Sequence, residues 1–137
     1  ADIDLEARTM FGGLKTDAGR NRAVPIHSAI YDLVVANYNK AVAMGSDYLF
    51  NDENGQQGTH LTYDKYRGRF EKINKRFNMT HKPHDTRHTF ISAAKSANMN
   101  EYILKLIVGH EILDVTEKVY THRSMQELAD EIEKIVY

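Results

Sequence analysis

The stretch HKPHDTRHTF, residues 81–90, gathers His81, His84 and His88 around a single arginine, Arg87. Pro83 suits a helix start, because its fixed φ matches the first turn and its missing N–H would find no partner there. The spacing predicts a helix over residues 84–97 that turns Phe90, Ile91 and Ala94 inward. On such a helix His84 shares a face with both Arg87 and His88. Three chemistries fit the run. His84 and His88 have the spacing of two metal ligands, but no third ligand is evident and Arg87 would set a cation beside the ion. The run can also be the solvated start of an ordinary helix. The third reading is a phosphate clamp. Arginine grips two phosphate oxygens at once, and histidine exchanges a proton near neutrality.

Working outward, the first 26 residues read as β. RTMF (8–11) is strand-like, Gly12-Gly13 breaks it, and LKT and NRAVPI flank the turn DAGR, so residues 8–26 are expected to form a small antiparallel sheet. A helix over 28–44 follows, with Ser28 as N-cap, a stripe of Ile30, Leu33, Val34, Tyr38 and Val42, and Gly45 as its stop. YLF (48–50) reads as a short strand and NDENGQQGTH (51–60) as a surface loop. Residues 62–77 read as a helix capped by Thr62, with the stripe Tyr66, Phe70, Ile73, Phe77 and basic flanks. Beyond the histidine run, Asn98 is a helix stop and Asn100 the N-cap of a helix over 101–109, which Gly109 ends directly before His110. Asp114 caps a short helix through Tyr120, and Ser124 to Glu127 is a capping box for a terminal helix with the stripe Leu128, Ile132, and Ile135 or Val136. That helix docks on its own domain or on a neighbour. The fold class is mainly α with one small antiparallel sheet near the N-terminus, an α+β arrangement.

Composition narrows the function. The 137 residues fill one domain or part of one, and they contain no cysteine, which excludes disulfides and thiolate metal sites. That absence fits a reducing, cytoplasmic setting. No stretch is long and apolar enough to span a bilayer, and no secretory leader pattern opens the chain. Net charge is −1, but Lys65 to Arg87 holds eight Lys/Arg against two acids, whereas Arg123 to the end holds two against four. A basic segment in a neutral chain is either the footprint of an anionic partner or a solvated helix face with surplus lysines.

The spacing of the remaining motifs bears on these readings. HDTRHTF is followed by LIVGH, which puts His110 23 residues after Arg87, and by VTEKVYTH, which puts Tyr120 ten residues after His110. This order resembles the C-terminal catalytic domain of the tyrosine recombinases, the phage-type integrases. DIDLEART resembles the segment entering the family's sheet, and LKTDAGRNRAVPI its β-hairpin, so the likeness covers nearly the whole chain. The resemblance implies a catalytic set of Tyr120, Arg87, His84, His110 and Lys15. Tyr120 would attack a scissile DNA phosphate and form a 3′-phosphotyrosyl link, with no metal or other cofactor. Arg87 and His110 would hold the phosphate, Lys15 would protonate the leaving 5′ oxygen, and His84 would assist proton transfer or hold the phosphate. Lys65, Arg67, Arg69, Lys72, Lys75, Arg76 and Lys82 become candidates for DNA-backbone contacts. His88 is read as structural and His122 as an edge residue; His27, His60 and His81 receive no role.

The resemblance also sets expectations about completeness. The family carries a further catalytic arginine in a helix upstream of its DIDL segment, and Arg8 does not match that position. Residues 1–137 are therefore expected to be a catalytic-domain fragment, itself inactive or nearly so, of a site-specific recombinase from a phage or mobile element. Its partner would be double-stranded DNA, on which it would act as a homo-oligomer, a tetramer, joined through the C-terminal helix. Two other classes stay open: a DNA-binding module with the same fold and no chemistry, and a metal-dependent hydrolase using His84 and His88.

Overall fold

A computed structural model describes residues 2–13, 20–52, 59–112 and 123–136. It holds strands β1 (Asp2–Asp4), β2 (Thr9–Gly12) and β3 (Arg22–Pro25), then helices α1 (Ser28–Ala43), α2 (Tyr63–Phe77), α3 (Asp85–Ser96), α4 (Glu101–Val108) and α5 (Met125–Ile132). The chain forms two compact units, residues 1–32 with 91–137, and residues 33–90. Among the described residues no helix is long and apolar enough to cross a membrane.

The first unit is built on a three-stranded antiparallel sheet in the order β1-β2-β3. The sheet begins earlier than the residue pattern alone suggests, because DID pairs with TMF in the register Asp2↔Phe11, Ile3↔Met10, Asp4↔Thr9. The turn between them is set locally. The Asp4 carboxylate accepts from the Ala7 N–H at 2.8 Å, and Arg8 takes a left-handed φ of 48°. β2 then pairs with β3, Met10 opposite Val24 and Gly12 opposite Arg22. Gly12 still belongs to the strand; the break falls at Gly13, whose φ of 111° needs a glycine. Ile26, Tyr102, Ile103, Ile107, Leu128, Ile132 and Ile135 are buried, forming the apolar core where β3, α4 and α5 pack together.

The terminal helix docks within its own unit. Its capping box forms as expected, with Ser124 and Glu127 bonding reciprocally. Leu128, Ile132 and Ile135 are buried, while Val136 is 91% exposed, so the stripe continues through Ile135. A set of polar bonds ties this segment to the start of α1. Glu133 accepts from the Ser28 N–H and hydroxyl, each at 2.6 Å. The buried His27 accepts the Ala29 N–H on Nδ1 at 2.9 Å, which leaves the proton on Nε2 to donate to the Ile135 carbonyl at 2.9 Å. Ser28 is thus not the N-cap of α1. Its hydroxyl is committed to Glu133, and the capping acceptor is the His27 ring.

The second unit departs further from the periodicity. In α1 the buried residues are Val34 and Ala41, whereas Leu33 is 65% and Val42 63% exposed. The expected stripe was too broad: the buried face is narrow and admits small side chains. α2 runs as expected from its Thr62 cap, which accepts from the Lys65 N–H, to Asn78 in the left-handed conformation. Its stripe residues Tyr66, Ile73 and Phe77 are nevertheless exposed, and no α2 residue is buried. YLF is not a strand. Ser46 Oγ donates to Asn51 Oδ1 at 2.6 Å, and Asn51 Nδ2 donates to the Tyr48 carbonyl at 2.6 Å. These local bonds outcompete a ladder, and pairing is reduced to a single bridge, Asn51↔His60.

Candidate active site

The histidine run opens α3. The His84 carbonyl accepts from the Arg87 N–H at 3.1 Å, so His84 stands just before the first helical residue, Asp85. Asp85 organises the approach. Its carboxylate accepts from the Lys82 N–H at 2.9 Å and lies 3.5 Å from His81 Nδ1. The Lys82 N–H, and after it His81, hold this carboxyl below the usual aspartate range. Thr86 Oγ1 donates to the Pro83 carbonyl at 2.7 Å, and Thr89 Oγ1 to the Asp85 carbonyl at 3.0 Å. The first turn is therefore pinned by its own side chains. On it His84 is exposed and Arg87 half-buried. The His84 and His88 rings meet edge to face with centroids 5.0 Å apart, so His88 supports His84 from the next turn. Among the described residues no group of three His, Asp or Glu comes together as a metal cluster.

His110 is presented differently, at the end of α4 in the first unit. Asn100 caps that helix by accepting from the Ile103 N–H at 3.1 Å. Gly109 closes it in the left-handed region, at φ 70°. The reversal sends the His110 N–H back to the Lys105 carbonyl at 3.0 Å and leaves the His110 side chain exposed. A side chain with a Cβ would be strained at Gly109. The glycine thus delivers the histidine at a fixed point beyond a buried helix. Lys15, Tyr120 and His122, with the helix expected after Asp114, lie outside the described residues.

The basic helix α2 is not one uniform cationic face. Asp52, only 2% exposed, pairs with Lys65 and with Arg69 Nη2, the latter at 3.4 Å. The same residue closes the loop base, its N–H donating to the Thr59 carbonyl at 3.0 Å. Arg67 lies 3.4 Å from Asp64 and 3.9 Å from Glu71 on the open surface, and Arg76 lies over the Phe77 ring. Among the described residues, Lys72, Lys75 and Lys82 make no side-chain ion pair. Arg8 stacks on the Tyr31 ring at 4.4 Å, and the Tyr31 hydroxyl donates to the Leu5 carbonyl at 3.0 Å. Sequence reasoning gave no role to Asp52, His27, Arg22 or Glu133, all of which hold elements together. Their partners are distant in the chain, and no local pattern marks them.

The sequence profile of the phage integrase family matches residues 1–127. The chain is 28% identical over 130 residues to Tyrosine recombinase XerA of Saccharolobus solfataricus, which covers 95% of this chain and 40% of that protein. The fold resembles the Integrase from mycobacterium phage Brujita with a TM-score of 0.66 at 21% identity, over 98% of this chain and 42% of that one. The chain thus spans about two fifths of the length of each of these relatives. With the ordered His84–Arg87 turn, the glycine-delivered His110 and a match running through almost the whole sequence, the chain belongs to the phage integrase family, the tyrosine recombinases.

Proposed function

We propose that residues 1–137 are the catalytic-domain portion of a site-specific tyrosine recombinase that cuts and rejoins double-stranded DNA. The observation carrying this reading is the family match over residues 1–127, which takes in Lys15, His84, Arg87, His110 and Tyr120 in order. The Tyr120 oxygen attacks the scissile phosphorus, the bond to the 5′ oxygen breaks, and a 3′-phosphotyrosyl ester forms. A 5′-hydroxyl then attacks that ester, restores the DNA strand and releases the tyrosine. The bond energy is kept in the ester throughout. Arg87 binds the non-bridging oxygens as charge builds on them, and His110 donates a further hydrogen bond. Lys15 gives its proton to the departing 5′ oxygen, and His84 assists proton movement at the phosphate.

Around this centre, Lys72, Lys75, Arg76 and Lys82 contact the backbone, with Arg67 beside them. Lys65 and Arg69 contribute less, since Asp52 already offsets their charge. Such contacts set affinity and salt dependence, not sequence choice. The recombinase assembles as a tetramer on DNA, its subunits joined through the C-terminal segment. In the isolated chain the apolar face of α5 is docked on its own unit, so that assembly hands the segment to a neighbour or uses its polar face.

The test is covalent capture. The recombinase carrying this domain is mixed with nicked duplexes that lose a short product on cleavage, and denaturing gels are read for a protein–DNA adduct. An adduct that Tyr120→Phe abolishes, with binding unchanged, is expected. Binding without any adduct points to a DNA-binding module of the same fold, and an adduct lost to EDTA points to metal chemistry.

A further inference from the structure

We infer that Arg22 is a positioning residue for His110. The inference rests on the reading of His110 as a phosphate ligand and adds a residue to which that reading assigns no part. The last carbonyls of any helix lack partners within it. In α4, Gly109 turns back so that its N–H reaches the Leu106 carbonyl at 3.2 Å and the His110 N–H reaches the Lys105 carbonyl at 3.0 Å. The Ile107 carbonyl is taken by Arg22, whose Nε–H donates to it at 2.9 Å from 85 residues away. A guanidinium at this point also complements the negative end of the helix dipole. Three consecutive carbonyls are thereby satisfied, two by the N–H groups of Gly109 and His110 and one by the first residue of β3.

Arg22 sits where that strand matters most. It opens β3 opposite Gly12, at the base of the connection that carries Lys15 in the sequence. The Asn21 N–H donates to the Gly13 carbonyl at 3.4 Å at the same base. One side chain therefore joins the first residue of β3 to the helix end that presents His110. Its effect is on where the His110 ring stands, and small displacements of a phosphate ligand cost rate steeply.

Amide exchange and imidazole NMR on the 137-residue chain test this directly. Replacing Arg22 by Ala removes a charge-assisted bond, so the Gly109 and His110 amides should exchange about tenfold faster. The His110 ring resonances should move, while amides in the β2–β3 ladder keep their protection, and Arg22→Lys should recover part of the loss. Unchanged Gly109 and His110 amides, or a uniform loss across β2, β3 and α4, overturn the inference. If the Ala variant does not fold, Arg22→Met, which keeps an unbranched stem but has no N–H donor, is read the same way. A second arm uses single-turnover adduct formation by the recombinase. Arg22→Ala should slow it with His110 present and add nothing in a His110→Ala background. Equal slowing in both backgrounds rejects action through His110. If His110→Ala has no effect, the phosphate-ligand reading fails by itself, and amide exchange still reports whether Arg22 holds the turn.

Discussion

Both carboxylate oxygens of Glu133 are occupied by one residue, Ser28, one by its N–H and the other by its hydroxyl, each at 2.6 Å. The pair closes the C-terminal segment onto the positive end of α1. Ser28 above all, with further help from His27 and Arg8, holds the Glu133 carboxyl below its ordinary value of 4.5. Glu127 is lowered too, chiefly by the Ser124 N–H. For Glu131 burial acts upward, but Lys134 and the Asn100 N–H outweigh it.

The sign of the resulting pH dependence follows from those directions. A carboxyl depressed in the folded state contributes stability that is fully present above its unfolded value and is lost as pH falls through the folded value. The contribution of these carboxyls to stability should be level from neutrality down to about pH 5 and then drop. Denaturant midpoints measured from pH 7 to pH 3 check this. Glu133→Gln should lower the neutral midpoint and flatten the acid limb; an acid limb as steep as in the parent chain would refute the assignment.

Asp52 predicts a split within the basic helix. Lys65→Ala and Arg69→Ala should lower stability, by up to about 1 kcal/mol each since both cations are half-exposed, and barely change the salt slope of DNA binding. Lys75→Ala should leave stability alone and flatten the slope by about 0.9. Asp52→Asn should steepen the slope, because it releases two cations from their counter-charge. Slopes measured between 50 and 200 mM salt, on the order of the range where such effects are read, decide the matter; equal slopes for Lys65→Ala and Lys75→Ala would remove the distinction.

The packing of the C-terminal segment predicts a contrast between a buried and an exposed position. Leu128→Ala deletes a buried side chain and should cost about 2–4 kcal/mol. Val136→Ala, at a position 91% exposed, should cost under about 0.5 kcal/mol. Thermal or urea unfolding measures both, and a large effect at Val136 would mean that the segment after the helix packs differently.

The proposed proton donor can be separated from the phosphate ligands by leaving-group chemistry. Lys15→Ala should slow adduct formation on ordinary DNA by about 100-fold or more. A substrate with sulfur in place of the 5′ bridging oxygen departs as a thiolate and needs no proton, so it should restore the rate. Arg87→Ala should stay slow on both substrates. A Lys15 variant that the thiolate substrate fails to rescue would assign Lys15 another role.

Much of this was legible in the chain because the signals are local. Thr62, Asn100 and the Ser124–Glu127 pair mark helix starts through bonds spanning a few residues, and Gly109 marks a helix end because the left-handed turn favours a residue without a Cβ. The family motifs are likewise matters of order and spacing, written in the sequence before any folding. What the tertiary structure alone decided is who meets whom across long separations. Arg22 finds the Ile107 carbonyl 85 residues on, and Ser28 finds Glu133 105 residues on. The same holds for burial, where Val34 is enclosed and its neighbour Leu33 is not. Periodicity records which face of a helix is apolar, but how much of that face is covered depends on the elements packed against it. A charged side chain, in turn, carries no local sign of the distant partner that will neutralise it.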